Sequence, residues 1–340
     1  MNNTLKKILQ WTLTLALLVV SVWYAFKGIE FDKMADIFAH INYIYAILPV
    51  PIILLSHWMR AWRWKTFLAP IKEIKSVHSL FSAVMILYAV NAITPRAGEF
   101  LRPLIISRKE KISYSSTFAT IILERVIDVI SLMVLFGITF ILLREKVLQL
   151  LPQDINPNMI IIIIVLLIGI ALINLYPPFV NMVLRIFIKP ISVRLYEKLL
   201  SIVDKFKQGL AIVKSPKQYF RIILETAIIW FLYSLPLYII FFAFDFQTSH
   251  HLGLIDATML VIVAGIGVTI APTPGAVGVF HVLVSGAMVS LYGIDKEVAL
   301  AYATVVHAVS KLTETIVGAG FFFKEGISLK SENEEIQVAK

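Results

Sequence analysis

The sequence predicts an all-α polytopic membrane protein, and three observations lead there. Hydrophobic residues make up 59% of the chain and charged ones only 16%, against roughly half and a quarter in an average soluble domain. The apolar runs are long and continuous, whereas the strands of a membrane barrel alternate over about 10 residues. Lipid is therefore the solvent for much of the surface, and of the two structures that satisfy their backbone in hydrocarbon, helices and closed barrels, helices fit.

The first apolar run, Ile8 to Phe26 behind Lys6 and Lys7, has the outline of a signal peptide. It is longer than the ~7–15 residues of a signal core, and no small-residue cleavage site follows it. Trp23 and Tyr24 stand where an interfacial aromatic belt belongs. This stretch reads as a retained first span, 8–26. Length and lack of charge predict further spans at 41–58, 115–143, 159–176, 221–244 and 298–322.

Two other apolar segments are interrupted. Segment 78–107 breaks at Thr94-Pro95, and segment 257–292 breaks at Ala271-Pro272-Thr273-Pro274-Gly275. The positive-inside rule decides how they lie. A full crossing at 78–94 would put Arg108, Lys109 and Lys111 on the side opposite Arg60, Arg63, Lys65, Lys72 and Lys75. A dip that turns back at Pro95 keeps all eight together. With both segments re-entrant, 22 of the 31 Lys and Arg lie on the cytoplasmic side and five outside. The expected topology is six full spans plus two re-entrant hairpins, with both termini inside.

The breaks resemble each other at an offset of 179 residues, Ala92-Ile93-Thr94-Pro95 against Ala271-Pro272-Thr273-Pro274, each followed by Gly and then Phe. One hairpin starts from the inside and the other from the outside. That predicts an inverted repeat, with units at about 41–143 and 221–322, and such repeats place substrate sites at midplane between broken helices. Residues 1–325 read as one transmembrane domain. Segment 177–220 mixes Lys and Arg with Leu, Ile, Val and Phe, as an amphipathic helix on the anionic cytoplasmic leaflet does. Residues 326–340 read as a disordered cytoplasmic tail.

Several function classes fall away. Without cysteine there are no disulfides, thiol nucleophiles or Cys-ligated metals. The formal charge of +9 follows the topology and suits anionic headgroups, so nucleic acid is not an expected partner. No Gly-rich phosphate loop, G-x-S-x-G or H-E-x-x-H occurs, so no enzymatic activity is expected. No cofactor is implied. The adjacent His250-His251 lacks carboxylates at ligand spacing, so no metal is expected.

The polar residues at membrane depth are the candidates for function, because each costs roughly 2.5–3.5 kcal/mol to insert. Asn91, Arg96, Glu99 and Arg102 surround the first break, and Glu124, Arg125 and Asp128 lie on the next helix. There the i, i+4 spacing puts Glu124 and Asp128 on one face, with Arg125 in reach of Asp128. His281 follows the second break, and His307, Lys311 and Glu314 share a face of the last helix. Guanidinium groups beside a broken helix suit a phosphate, which makes Arg96 and Arg102 the expected headgroup ligands. For Glu124 and Asp128 the other reading is a structural ion pair with a nearby Arg. His281 and His307 fit a proton relay, a headgroup contact or a pair with each other. Arg60, Trp62, Arg63 and Trp64 read as interfacial anchors of the second span.

At these residues the sequence resembles the flippase-like transmembrane domain of lysylphosphatidylglycerol synthases, which also occurs as a stand-alone membrane family. The matching elements are Arg60-x-x-Arg63-Trp64, Asn91-x-x-x-Pro95-Arg96-x-Gly98-Glu99-x-x-Arg102, Glu124-Arg125-x-x-Asp128 and Pro274-Gly275-x-x-Gly278. Their order and spacing agree over nearly the whole chain. Where many members place Glu after the second break and Arg on the last helix, this chain has His281 and His307. The resemblance implies a flippase-like protein acting on anionic phospholipids or lipid-linked glycans in a bacterial or archaeal inner membrane. The soluble synthase domain is missing, so lysyl transfer is not expected. Two alternatives stand beside this reading: a non-transporting accessory protein in envelope glycolipid assembly, and a small-solute carrier. The expected partners are anionic membrane lipids. Oligomeric state and protein partners are left open.

Overall fold

The computed structural model describes residues 3–145, 182, 184–190, 192–193, 196–197, 200, 216–271 and 273–326. Among these there is no strand. The helices are α1 (Asn3–Phe26), α2 (Phe31–His40), α3 (Tyr43–Ile47), α4 (Val50–Leu68), α5 (Val77–Ile93), α6 (Ala97–Glu110) and α7 (Tyr114–Leu142). They continue with α8 (Pro216–Phe241), α9 (Phe246–Ser249), α10 (Leu254–Ile270), α11 (Val279–Tyr292) and α12 (Lys296–Lys324). The expected span 159–176, most of the amphipathic segment 177–220 and the tail beyond 326 lie outside the described residues.

Local chemistry sets the helix starts. Side chains of Asn42, Ser76 and Asp295 accept the first free amides of α3, α5 and α12, as N-caps do. The Asp256 carboxylate accepts the Gly253 amide at 2.8 Å at the start of α10. After Pro95 the chain turns through Arg96 in the left-handed region, φ 62°, and α6 begins.

That turn makes α5 and α6 a hairpin. The Gly98 amide donates to the Asn91 side-chain oxygen at 2.9 Å, which closes the bend from inside. A Cβ on Gly98 would collide with the Leu87 carbonyl, so glycine lets the two helices touch. At the open end Lys72 reaches the Glu110 carbonyl at 2.7 Å and its carboxylate at 3.1 Å. Helices α10 and α11 form a second hairpin around Thr273 to Gly278, and Tyr292 at its open end faces Asp256.

Helix α12 is the spine beside both. Its 29 residues extend about 43 Å at 1.5 Å per residue. It begins three residues beyond the open end of the second hairpin. His307 meets the Gly275 carbonyl at 2.8 Å, and Gly318 lies against Met85 of α5. Glu325, just past the last turn, bonds Ser82 and, at 3.2 Å, Lys109 at the open end of the first hairpin. The hairpins therefore start from opposite ends of α12, and their tips meet. Arg96 donates to the Thr269 carbonyl at 2.6 Å, and a Cβ on Gly275 would stand 3.7 Å from the Ala92 backbone. Each hairpin has its own core: Trp64, Leu80, Ile106 and Ile121 around the first, and Phe241, Leu260, Val284 and Tyr302 around the second.

Among the described residues four helices are long and apolar enough to cross a membrane: Tyr43–Leu68, Tyr114–Leu142, Lys217–Phe244 and Pro274–Tyr292. The pair Thr14–Phe26 and Phe31–His40, bent by 81°, makes a fifth if it counts as one span. Against the expected boundaries, the first apolar helix is followed by α2 after an 81° bend, and the stretch expected at 41–58 runs ten residues further. Helix α12, which holds the stretch expected to cross at 298–322, has the length of a span, and His307, Lys311 and Glu314 make its middle less apolar than the four.

Candidate functional site: a buried ion-pair network at the hairpin tips

Arg60 and Arg63 do not anchor α4 at an interface. Both side chains are buried, as is Trp64, and they point across the bundle at α7. Only Trp62 of that group is exposed. The reason is the α-helical period: His57, Arg60 and Trp64 lie at i, i+3 and i+7 on the inward face of α4.

The hub is Glu124, fully buried on α7. Its carboxylate receives Arg60 at 2.6 Å, Arg102 at 3.0 Å, Arg125 at 3.2 Å and Arg63 at 3.9 Å. One turn on, Asp128 takes Arg63 at 2.6 Å, Arg125 at 3.4 Å and Arg60 at 3.8 Å. Glu99 on α6 stands 4.0 Å from Arg125. Four guanidinium groups thus face three carboxylates, leaving one positive charge in excess. Trp64 hydrogen-bonds Thr120 at 2.8 Å and offers its ring to Arg102, whose guanidinium carbon is 3.8 Å from the centroid. That stacking is a cation–π contact.

Tyr88 joins this cluster to a second one. Its hydroxyl accepts from Arg60 at 2.7 Å, and its ring packs 4.2 Å from the His57 ring. His57 meets Glu314 of α12 at 3.2 Å, and Glu314 pairs with Lys311 at 2.7 Å. Further along α12, His307 packs against His281 with ring centroids 4.7 Å apart. The two rings are in contact, and Nδ1 of His281 has no hydrogen-bond partner among the described residues. His307 also meets the Gly275 carbonyl at the second tip.

The structure brings the eleven sequence candidates into one region but gives them different exposure. Arg102 and Glu124 are inside the protein; Glu314, His281 and His307 are buried; Glu99, Asp128 and Lys311 are half-buried. Arg125 keeps 38% of its side chain accessible and Arg96 is exposed. Asn91 braces the first bend. Some guanidinium nitrogens in the cluster have no hydrogen-bond partner among the described residues: Nε of Arg63, Arg102 and Arg125, and Nη2 of Arg102. Excess positive charge with spare donors is a place an anionic oxygen can be received. Sequence reading missed His57, Arg60, Arg63 and Tyr88. Polar residues at helical spacing in an otherwise apolar span were the available signal.

Several apolar helices around buried ion pairs define a multi-pass α-helical membrane protein. The chain belongs to the family of the Lysylphosphatidylglycerol synthase TM region, which matches residues 11–318. It is similar to the UPF0104 membrane protein PH1989 of Pyrococcus horikoshii, 26% identical over 331 residues, covering 92% of this chain and 96% of that protein. It is also similar to Glycosyltransferase AglD of Haloferax volcanii, 22% identical over 308 residues, covering 84% of this chain. The match takes in 49% of that relative, so the chain spans about half its length. No solved structure matches the chain.

Proposed function

We propose that the protein is a flippase-like transporter of an anionic phospholipid or lipid-linked glycan in a bacterial or archaeal inner membrane, without chemistry of its own. The observation that carries this reading is the meeting of two oppositely directed hairpins beside a cluster with excess positive charge. In the membrane the hairpins are re-entrant, six spans cross, both termini are cytoplasmic, and the two units form an inverted repeat. Arg125, Arg96 and Lys311 receive the phosphate, because they are the cations that keep exposure. Arg60, Arg63 and Arg102 hold Glu124 and Asp128 behind them and fix the positive field. Rocking of one hairpin unit against the other then exposes the site alternately to each leaflet. Protonation of the His281–His307 pair beside the tip is the proposed coupling step.

The test is translocation in liposomes holding the purified full chain and fluorescent phosphatidylglycerol or phosphatidylcholine. Phosphatidylglycerol is expected to move faster, Arg125→Gln to remove that preference, and the His281→Gln, His307→Gln double variant to flatten the response between about pH 5 and 8. No movement of either lipid above protein-free vesicles would overturn the reading. A second reading is favoured by the similarity to Glycosyltransferase AglD: a non-transporting partner in envelope glycolipid assembly. Its expected signature is retention of polyprenyl-phosphate lipid by the purified protein with no translocation.

A further inference from the structure

A groove lies away from the ion pairs, between α1 and the inner half of the second hairpin. It has a volume of about 510 Å³, and its wall is almost wholly apolar. Val20, Ser21 and Tyr24 of α1 form one side; Ile266 and Gly267 of α10 and Val282 of α11 form the other. We infer that this groove binds one hydrocarbon chain of an anionic amphiphile whose headgroup lies at Arg96.

Three observations support that occupant. The first is depth. The walls come from the apolar segments Thr14–Phe26 and Pro274–Tyr292 and from the shorter apolar helix α10, so in the proposed membrane arrangement hydrocarbon surrounds the opening. Water has almost no partner there, since the Ser21 hydroxyl already donates to the Leu18 carbonyl at 3.0 Å. The second is rigidity. Gly278 sits at φ +81°, and a Cβ there would collide with Ser21, so α1 is seated directly on the second break. A Cβ on Gly267 would collide with Leu283, so α10 and α11 are already in contact along the groove floor. The void is built into the packing and does not arise from loose helices. Its size falls within the roughly 300–1,000 Å³ of ligand pockets.

The third observation is charge. Arg96 is exposed and its guanidinium is bonded to the Thr269 carbonyl, between the groove residues Gly267 and Ala271 on the chain. The groove ends at Ala271, two residues beyond the carbonyl that the exposed Arg96 holds, so an apolar slot with a guanidinium at one end matches an amphiphile with a chain and an anionic head. This inference rests on the proposed lipid substrate and adds that the protein holds the tail, so the tail does not simply trail in the bilayer. Acyl and polyprenyl chains share that chemistry.

The experiment uses the full chain in nanodiscs with a trace of photoreactive lipid carrying a diazirine in its chain. One arm uses phosphatidylglycerol, one polyprenyl phosphate, and one phosphatidylcholine; adducts are mapped by peptide mass spectrometry. Adducts are expected severalfold more often on Val20, Tyr24, Ile266 and Val282 than on the lipid-facing Val134, Ile138 and Ile141 of α7, with the anionic arm that labels best naming the chain. The rim variant Val20→Trp, Ile266→Trp, checked for unchanged thermal unfolding, is expected to remove the excess, and Arg96→Gln to remove the preference for anionic arms. Equal labelling of groove and α7 in every arm overturns the inference. If Arg125-dependent translocation of phosphatidylglycerol persists in the rim variant, the tail site fails while the transporter reading stands. Groove labelling without any translocation supports the tail site and removes the transporter reading instead.

Discussion

Arg102 and Glu124 meet at 3.0 Å with neither side chain reaching the surface. They belong to consecutive helices, yet the pair is shared, because Arg60 from α4 closes on the same carboxylate at 2.6 Å. Breaking one partner of a buried pair leaves an uncompensated charge, at about 3–5 kcal/mol. Glu124→Ala is therefore expected to lower the thermal unfolding midpoint in detergent strongly. The double change Arg102→Met, Glu124→Met should recover part of that loss, since it removes both charges. A midpoint for Glu124→Ala equal to wild type would show that the pair contributes nothing to the fold.

Gly318 and Gly98 allow close helix contacts that any Cβ would obstruct, against the carbonyls of Met85 and Leu87 respectively. Backbone cannot yield as a flexible side chain can. Gly318→Ala and Gly98→Ala are expected to destabilise by about 1–3 kcal/mol, the usual scale of overpacking. Gly320 has nothing near its missing Cβ, so Gly320→Ala should be neutral or gain up to about 1 kcal/mol in helix propensity. Equal effects at 318 and 320 would contradict the packing described.

Topology can be read by single cysteines, because the chain has none of its own. Positions in 66–76 and 108–114 are expected to label from the same face, as the Lys72–Glu110 pair at 3.1 Å requires. Positions in 248–252 and 293–296 should label from the other. Labelling of Lys72→Cys and Lys111→Cys from opposite faces would rule out the re-entrant first hairpin.

The contact between the tips offers a lock. A Cβ at Gly275 would stand 3.7 Å from the Ala92 Cα, within reach of a disulfide. Gly275 has φ 58°, so a cysteine there costs about 1–2 kcal/mol and should still fold. Ala92→Cys with Gly275→Cys is expected to oxidise readily and to stop translocation until reduced. Undiminished translocation in the oxidised protein would mean that the tips do not separate during transport.

Much of this protein was determined locally. Composition chose lipid as solvent and helix as the only fitting structure, and Pro95 and Gly275 marked the two breaks, because backbone sterics act within a few residues. Partner choice was not local. Arg96 and Arg102 lie on either side of the same helix start and looked alike in sequence, but Arg96 is exposed at the tip while Arg102 is stacked under Trp64. Arg60, read from sequence as an interfacial anchor, and His57, one turn before it, find Glu124 and Glu314 from 64 and 257 residues away. Tertiary structure decided those pairings, because a charge withdrawn from water takes whichever opposite charge packing brings within about 4 Å, and sequence distance does not enter that energy.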